Sequence, residues 1–241
     1  MNKILAITTA TEGVNNLTSK ILDYTLKYNI NQIDDFIIIT DYQSPEIEAI
    51  CQKYNVKFIK TAKFYENGAP FDKGKAISQV LKNISSGWVL HLDCDILLPK
   101  NFKEEINKIN LVLNKLYGAR RIMFSNLEMV KKWFHENKNP EDLSDHIPYG
   151  YCWGYFQLFN MDSPQIKMSD IENIYPSNGT VYEGDGWFRN KWGLMIEKYY
   201  QKGKILPDPE DVIVKGNIEE LPFFVGHLGN KESTGQDFQL N

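Results

Sequence analysis

The segment Trp88-Val-Leu-His-Leu-Asp93-Cys-Asp95-Ile-Leu-Leu-Pro99 is a short apolar run broken by two aspartates one residue apart. Carboxylates at the end of a buried strand are costly unless something positive meets them. On a regular strand, positions i and i+2 point to the same side, so Asp93 and Asp95 are expected to aim at one point. A divalent cation answers that need, since Mg²⁺ is commonly held by one or two carboxylates together with substrate phosphates. The competing reading is a strand end whose aspartates cap the next turn. The surrounding elements have to decide between them.

Strands and helices alternate on the way to that pair. Ile4-Leu-Ala-Ile7 is a buried-strand run that leads into Thr8-Thr-Ala-Thr-Glu-Gly13. Leu17, Ile21, Leu22 and Leu26 recur at helical spacing, predicting a helix to about Asn29. Phe36–Ile39 is a second strand ending at Thr40-Asp41, and Ser44-Pro45-Glu46 is a helix start. Ile47, Ile50, Cys51 and Tyr54 form the inner face of that helix, and Val56–Ile59 is a third strand. Phe71-Asp-Lys-Gly-Lys75-Ala then opens a helix through Ile77, Val80 and Leu81, before the strand Trp88–Leu92. This alternation is that of an open parallel sheet. Ligands of such sheets sit outside the carboxyl ends of the strands, which sets Thr8–Thr11, Asp41, Asp93 and Asp95 along one edge.

Beyond Pro99 the spacing predicts a helix from Phe102 to Leu116, a strand at Arg121–Phe124 and a helix from Leu127 to Asn137. Tyr149–Phe159 is dense in aromatics and glycine, and its last part alternates as a strand. Glu183-Gly-Asp185-Gly-Trp187 starts a helix, and the tail reads as short strands and turns with Pro207, Pro209 and Pro222. No internal repeat or linker interrupts the chain, so one domain over 1–241 is expected.

Composition narrows the function classes. With 42% hydrophobic and 24% charged residues, the 241-residue chain suits a soluble α/β domain. Its 13 Tyr, 13 Phe and 5 Trp suit a core, or equally a platform for a sugar or a base. A net charge of −4, with no basic block beyond Arg120-Arg121 and Lys131-Lys132, disfavours nucleic acid as a partner. Cys51, Cys94 and Cys152 are odd in number and far apart, so neither a zinc pair nor a disulfide framework is expected. That usage fits a reducing compartment. The first apolar run is too short for a signal peptide, and none approaches the ~20 residues of a membrane helix. A cytoplasmic location is expected, with any membrane role peripheral.

Taken in order, these motifs resemble the nucleotide-sugar glycosyltransferases of the GT-A fold, most closely the family-2-type and galactosyltransferase-type members. Leu92-Asp93-Cys-Asp95-Ile is similar to the family's Asp-x-Asp. Phe71–Leu81 resembles the segment that packs before that strand, and Gly154–Phe159 the acceptor-side strand. The acidic helix start at Glu183 and Asp185 follows, and Val225-Gly-His227-Leu-Gly229 resembles the late histidine of the family's metal site. The resemblance implies a Rossmann-like, mostly parallel sheet flanked by helices, with a smaller antiparallel acceptor-side part. Residues 1–99 would be the nucleotide-binding half and 100–241 the acceptor-side half.

It also implies metal-dependent transfer of a sugar from a nucleotide-sugar, a UDP-sugar first, to a glycan or other hydroxyl acceptor, with inversion. Asp95 would ligate the metal directly, Asp93 would reach it through water or hold the ribose, and His227 would add a nitrogen. Imidazole with carboxylates suits Mn²⁺ before Mg²⁺. Asp185, with Glu183 second, would take the acceptor proton; the other reading is acidic residues complementing a helix dipole. Thr8, Thr9 and Asp41 would line the base and ribose, or be ordinary strand-end loop residues, and Lys75 is a solvated helix lysine or would contact base, ribose or phosphate. Trp153, Tyr155 and Trp187 would stack on an acceptor sugar, or pack in the core. His91 is expected to be a core histidine before a ligand, and Arg120-Arg121 a solvated pair before a phosphate clamp. Two alternatives remain: a sugar-phosphate nucleotidyltransferase, which wants more glycine than Gly13 after the first strand, and a glycan-binding protein with a decayed transferase fold.

Overall fold

The computed structural model describes residues 3–12, 17–69, 71–139, 142–143, 154–175, 188–193 and 216–229. Trp153, Glu183, Asp185 and Trp187 lie outside them. In chain order the elements are β1 (Ile4–Thr9), α1 (Leu17–Asn29), β2 (Asp35–Thr40), α2 (Pro45–Lys53), β3 (Lys57–Lys60), α3 (Lys73–Leu81) and β4 (Trp88–Leu92). They continue with β5 (Ile96–Leu97), α4 (Phe102–Lys108), β6 (Leu116–Phe124), α5 (Leu127–Glu136), β7 (Phe156–Asn160) and β8 (Ile218–Leu228). Short 3-10 segments at Lys63–Gly68 and Met168–Asn173 join some of these.

One eight-stranded sheet has the order β3-β2-β1-β4-β7-β6-β8-β5. The first four strands are parallel, as expected from the strand–helix alternation. β7 then runs antiparallel to both β4 and β6, β8 is parallel to β6, and β5 closes the far edge antiparallel to β8. The chain is therefore an α/β protein on a mostly parallel sheet with an antiparallel part.

Strands covered on both faces read as continuous apolar runs, and β2 and β4 do so. Ile38, Leu90 and Ile4 pack with Leu22, Leu26, Ile47 and Cys51 of α1 and α2. Ile37, Ile39 and Val89, one residue out of phase, pack with Ile77, Val80 and Leu81 of α3. Local signals set the ends: Pro45 begins α2, the Asp72 side chain accepts from Lys75 N in α3, and left-handed Asn137 ends α5.

Two expectations are corrected. The helix predicted to Leu116 stops at Lys108, and Leu116 instead opens the nine-residue β6. Val112 and Leu113, which extended the helical spacing, are 40% and 49% exposed, whereas Leu116, Tyr117 and Ala119 are buried in the sheet. Burial in β6 overrode a local period. Pro222, read as part of a turn, lies inside β8. The register there shifts from Gly118 opposite Glu220 to Arg120 opposite Phe224, and that irregularity accommodates a residue with no N–H to donate. Among the described residues no helix is long and apolar enough to cross a membrane.

Asp34 ties the start of the sheet to α4. Its Oδ2 accepts from Ile4 N at 3.0 Å and its Oδ1 lies 2.6 Å from Lys103 Nζ. Burial pushes this carboxyl up, but the Lys103 ammonium and the Ile4 N–H outweigh it and hold it below 3.8. A depressed folded value means the stabilisation is present above the ordinary carboxylate range and is lost as pH falls through the folded value. Asp34→Asn is expected to cost about 0.5–1 kcal/mol near neutral pH, a surface-pair magnitude. Urea unfolding against pH should show that deficit shrinking as pH falls through and below the ordinary carboxylate range; a deficit that is constant with pH would assign it to something other than the charge.

Candidate functional site

β4 ends at Leu92, but its ladder with β7 runs one step further: Asp93 N donates to Tyr155 O at 3.0 Å. Ile96 N then donates to Asp93 O at 3.2 Å, so residues 93–96 form a turn. The aspartates therefore occupy turn positions and not alternate strand positions, and the argument that both aim at one point fails for that reason. Asp93 Oδ1 lies 3.3 Å from Lys73 Nζ and 3.7 Å from His91 Nε2. Asp95 Oδ2 instead meets His227 Nε2 at 3.1 Å. Burial pushes the Cys94 thiol between them well up, which makes it a poor thiolate.

Sheet closure brings Asp95 and His227 together across 132 residues. β5 follows Asp95 at once and pairs with β8, with Ile96 opposite His227, and Leu228 N donates to Asp95 O at 2.9 Å. His227 Nδ1 is 3.1 Å from Met123 Sδ, which fixes the ring edge-on to the aspartate. Burial pushes the Asp95 carboxyl up, yet His227 and, less strongly, Arg121 outweigh it and hold it below the usual carboxylate value. Asp95 Oδ1 is buried and, among the described residues, has no hydrogen-bond partner. A buried carboxylate oxygen without a donor is rare and fits a cation as its missing partner. Among the described residues no three His, Cys, Asp or Glu side chains gather into a metal cage, because Asp93 is turned to Lys73. The protein donors that meet are thus Asp95 and His227.

The sequence offers Lys75 as a candidate contact, whereas the structure brings Lys73 to the site. The helix decides between them. Lys73 is on the face of Ile77 and Leu81, at i+4 and i+8, and is only 7% exposed. Lys75 lies on the other face, with Nζ 3.7 Å from Glu66 and 3.9 Å from Asp72. The spacing to Ile77 and Leu81 was a legible signal. At Gly74, a Cβ would sit 2.8 Å from Tyr175 O and 2.9 Å from Tyr175 Cβ, so the start of α3 packs flat on that residue. Gly74→Ala is expected to cost about 1–3 kcal/mol through displaced backbone. Thermal unfolding would check this, and an unchanged melting temperature would show that the contact gives way freely.

Tyr175 also reaches beneath Asp93. Its hydroxyl donates to Gln157 Oε1 at 3.1 Å and lies 3.4 Å from His91 Nδ1, which is itself 3.3 Å from Gln157 Oε1. His91 is fully buried, with Nδ1 in this cluster and Nε2 3.7 Å from Asp93 Oδ1.

At the other strand ends, Thr8 Oγ1 donates to Leu92 O at 2.8 Å, joining β1 to the last residue of β4. Thr9 is buried beside it. Asp41 Oδ1 accepts from Ser44 Oγ at 2.7 Å and from Gln43 N at 2.9 Å, while its Oδ2 accepts from Tyr65 OH at 3.0 Å. A cavity of about 550 Å³ adjoins that loop, lined by Tyr42, Lys60, Thr61, Lys63, Tyr65 and Gln79 among others. Tyr42 is 67% exposed there. Tyr155 is only 4% exposed, donates its hydroxyl to Ala119 O at 2.7 Å and lies under Arg121, so it takes the core role that the sequence also allowed.

No protein-family model matches the chain, and no curated protein matches it. Among solved structures it is similar to glucosyl-3-phosphoglycerate synthase from Mycobacterium tuberculosis, in complex with Mn²⁺, UDP-glucose and phosphoglyceric acid. The identity is 16% and the TM-score 0.35, over 49% of this chain and 43% of that one. It is similar to 4-diphosphocytidyl-2C-methyl-D-erythritol synthase from Anaerococcus prevotii at 16% identity and TM-score 0.47, over 91% and 87%. A mannosyltransferase from Pyrobaculum calidifontis, in complex with GDP-mannose and Mn²⁺, gives 9% and 0.41, over 66% and 44%. The first of these likenesses spans less than half of the other protein's length. At these identities and TM-scores they assign neither family nor activity.

Proposed function

We propose that the chain is a metal-dependent glycosyltransferase of the GT-A type, moving a sugar from a nucleotide-sugar, a UDP-sugar first, onto a hydroxyl acceptor. The observation that carries this reading is the Asp95–His227 pair beside the carboxyl edge of the sheet, with one carboxylate oxygen buried and unmatched. Asp95 and His227 would hold Mn²⁺, with Mg²⁺ second, and phosphate oxygens would fill the rest of its shell. Such an ion neutralises the charge that develops on a departing nucleoside diphosphate.

The protein's own groups divide the remaining work. Lys73, already at Asp93, would supply a buried ammonium for phosphate oxygens, and the Asp93 carboxylate would accept from a ribose hydroxyl. Thr8, Thr9 and Asp41 border the base, where the Asp41 oxygens now held by Ser44 and Tyr65 can accept from a ring N–H. Asp185, with Glu183 second, serves as the base of an inverting transfer, and Trp153 and Trp187 serve the acceptor sugar.

Calorimetric titration with UDP, with and without Mn²⁺, tests the reading. Binding that requires the metal, together with slow Mn²⁺-dependent hydrolysis of a UDP-sugar, is the expected result. UDP affinity indifferent to metal, with no donor among UDP-, GDP- and CDP-sugars hydrolysed, would sink it.

A further inference from the structure

Arg121 stands apart from the other cations around this site. Alternation along β6 puts Arg121 and Met123 on one face. Met123 Sδ lies 3.1 Å from His227 Nδ1, so that face looks toward the Asp95–His227 pair. The Arg121 guanidinium lies over the Tyr155 ring, 4.7 Å from its centroid, in a cation–π contact.

Arg120 shows what an ordinary surface arginine does here. It points to the opposite face, pairs with Glu220 at 3.0 Å and covers the Phe224 ring at 4.8 Å. Arg121 is held by no carboxylate in this way: its charge reaches Asp95, but among the described residues it makes no close ion pair, and its Nε is buried with no hydrogen-bond partner. The expectation of a solvated pair therefore holds for Arg120 alone. A buried guanidinium N–H left without an acceptor is costly. Tyr155 covers the flat face of the fork and takes none of its N–H groups, which point outward in the plane. That fork matches the two oxygens of a carboxylate or phosphate.

Its placement adds a second argument. Lys73 reaches the site from α3 at the Asp93 end, under β4. Arg121 is two strands across the sheet, on β6 beyond β7, at the Asp95 end. The two cations thus enter from elements two strands apart, Lys73 against Asp93 and Arg121 toward Asp95.

We propose that Arg121 is the oxyanion-binding residue of this site, gripping a phosphate or carboxylate group of the substrate beside Asp95. The proposal rests on the reading of the site as a nucleotide-sugar site. The oxyanion has two sources, an acidic acceptor or the donor's own diphosphate, and the binding chemistry is the same for both.

The test uses the full chain with inorganic phosphate as the probe. Wild-type protein loaded with Mn²⁺ and UDP is titrated with phosphate, and Mn²⁺–UDP affinity is measured in parallel, for Arg121→Gln and Arg121→Lys. Loss of a charge-assisted bidentate contact should weaken phosphate by about tenfold or more in Arg121→Gln, with Arg121→Lys intermediate. Phosphate affinity lost while UDP affinity stays unchanged identifies an anionic acceptor. A tenfold loss of UDP affinity identifies the donor diphosphate. Both affinities within twofold of wild type in an Arg121→Gln protein of unchanged melting temperature overturn the proposal. If wild type binds no UDP, the functional reading has failed, and phosphate titrated onto the unloaded protein still decides whether Arg121 holds an oxyanion.

Discussion

Asp95→Asn is expected to abolish Mn²⁺-dependent UDP binding and to lower nucleotide-sugar turnover by about 10³-fold, the kinetic equivalent of roughly 4 kcal/mol of lost charge stabilisation. The substitution keeps the side chain's shape, so the β5–β8 pairing that closes the sheet stays in place. What it removes is the charge and the oxygen that no described residue matches. A structural aspartate would behave differently: its loss would show in unfolding and leave ligand binding alone. Calorimetry with UDP and Mn²⁺, beside a thermal melt, separates the two. An Asp95→Asn protein that binds UDP within threefold of wild type would remove Asp95 from the metal site.

The second large effect is expected at Lys73. Lys73→Met retains the apolar stem against Ile77 and Leu81 while deleting the ammonium, and should lower kcat/KM for the donor by about 10²-fold, as for loss of one preorganised charge contact. Lys75→Met should stay within about threefold, because its ammonium sits at the surface between Glu66 and Asp72, in pairs of small energetic weight. Steady-state kinetics on the two variants makes the comparison internal to one helix. Equal losses, or the larger loss at Lys75, would move the assignment from Lys73 to Lys75. Removing Lys73 also takes the ammonium from beside the Asp93 carboxylate, so a drop in melting temperature is expected beside the kinetic loss.

Lys73 shows how far local information reaches. Its helical spacing to Ile77 and Leu81 is enough to put it on the inner face of α3, yet a lysine on an inner face reads as an error of phase until its carboxylate is known. That carboxylate, on Asp93, belongs to another element. His91 is similar: its place inside an apolar strand announced burial, while Gln157 and Tyr175, which surround it, come 66 and 84 residues later.

The sequence by itself determined the first half of the fold. α1 spans Leu17–Asn29 as its apolar spacing predicts, and β1, β2, β3 and β4 fall on the continuous apolar runs that strands buried on both faces must have. It also determined which polar residues end those strands, because a chain leaves a parallel sheet only at strand ends. Tertiary structure decided the rest. Phe102–Leu116 kept helical spacing throughout, but pairing with β8 turned its end into β6. Asp93 and Asp95 looked equivalent until the turn sent one to Lys73 and the other to His227. Hydrophobic period is a property of neighbours along the chain, whereas the partner of a charged group depends on register between strands far apart in it. At this site the second kind of information separates the two aspartates.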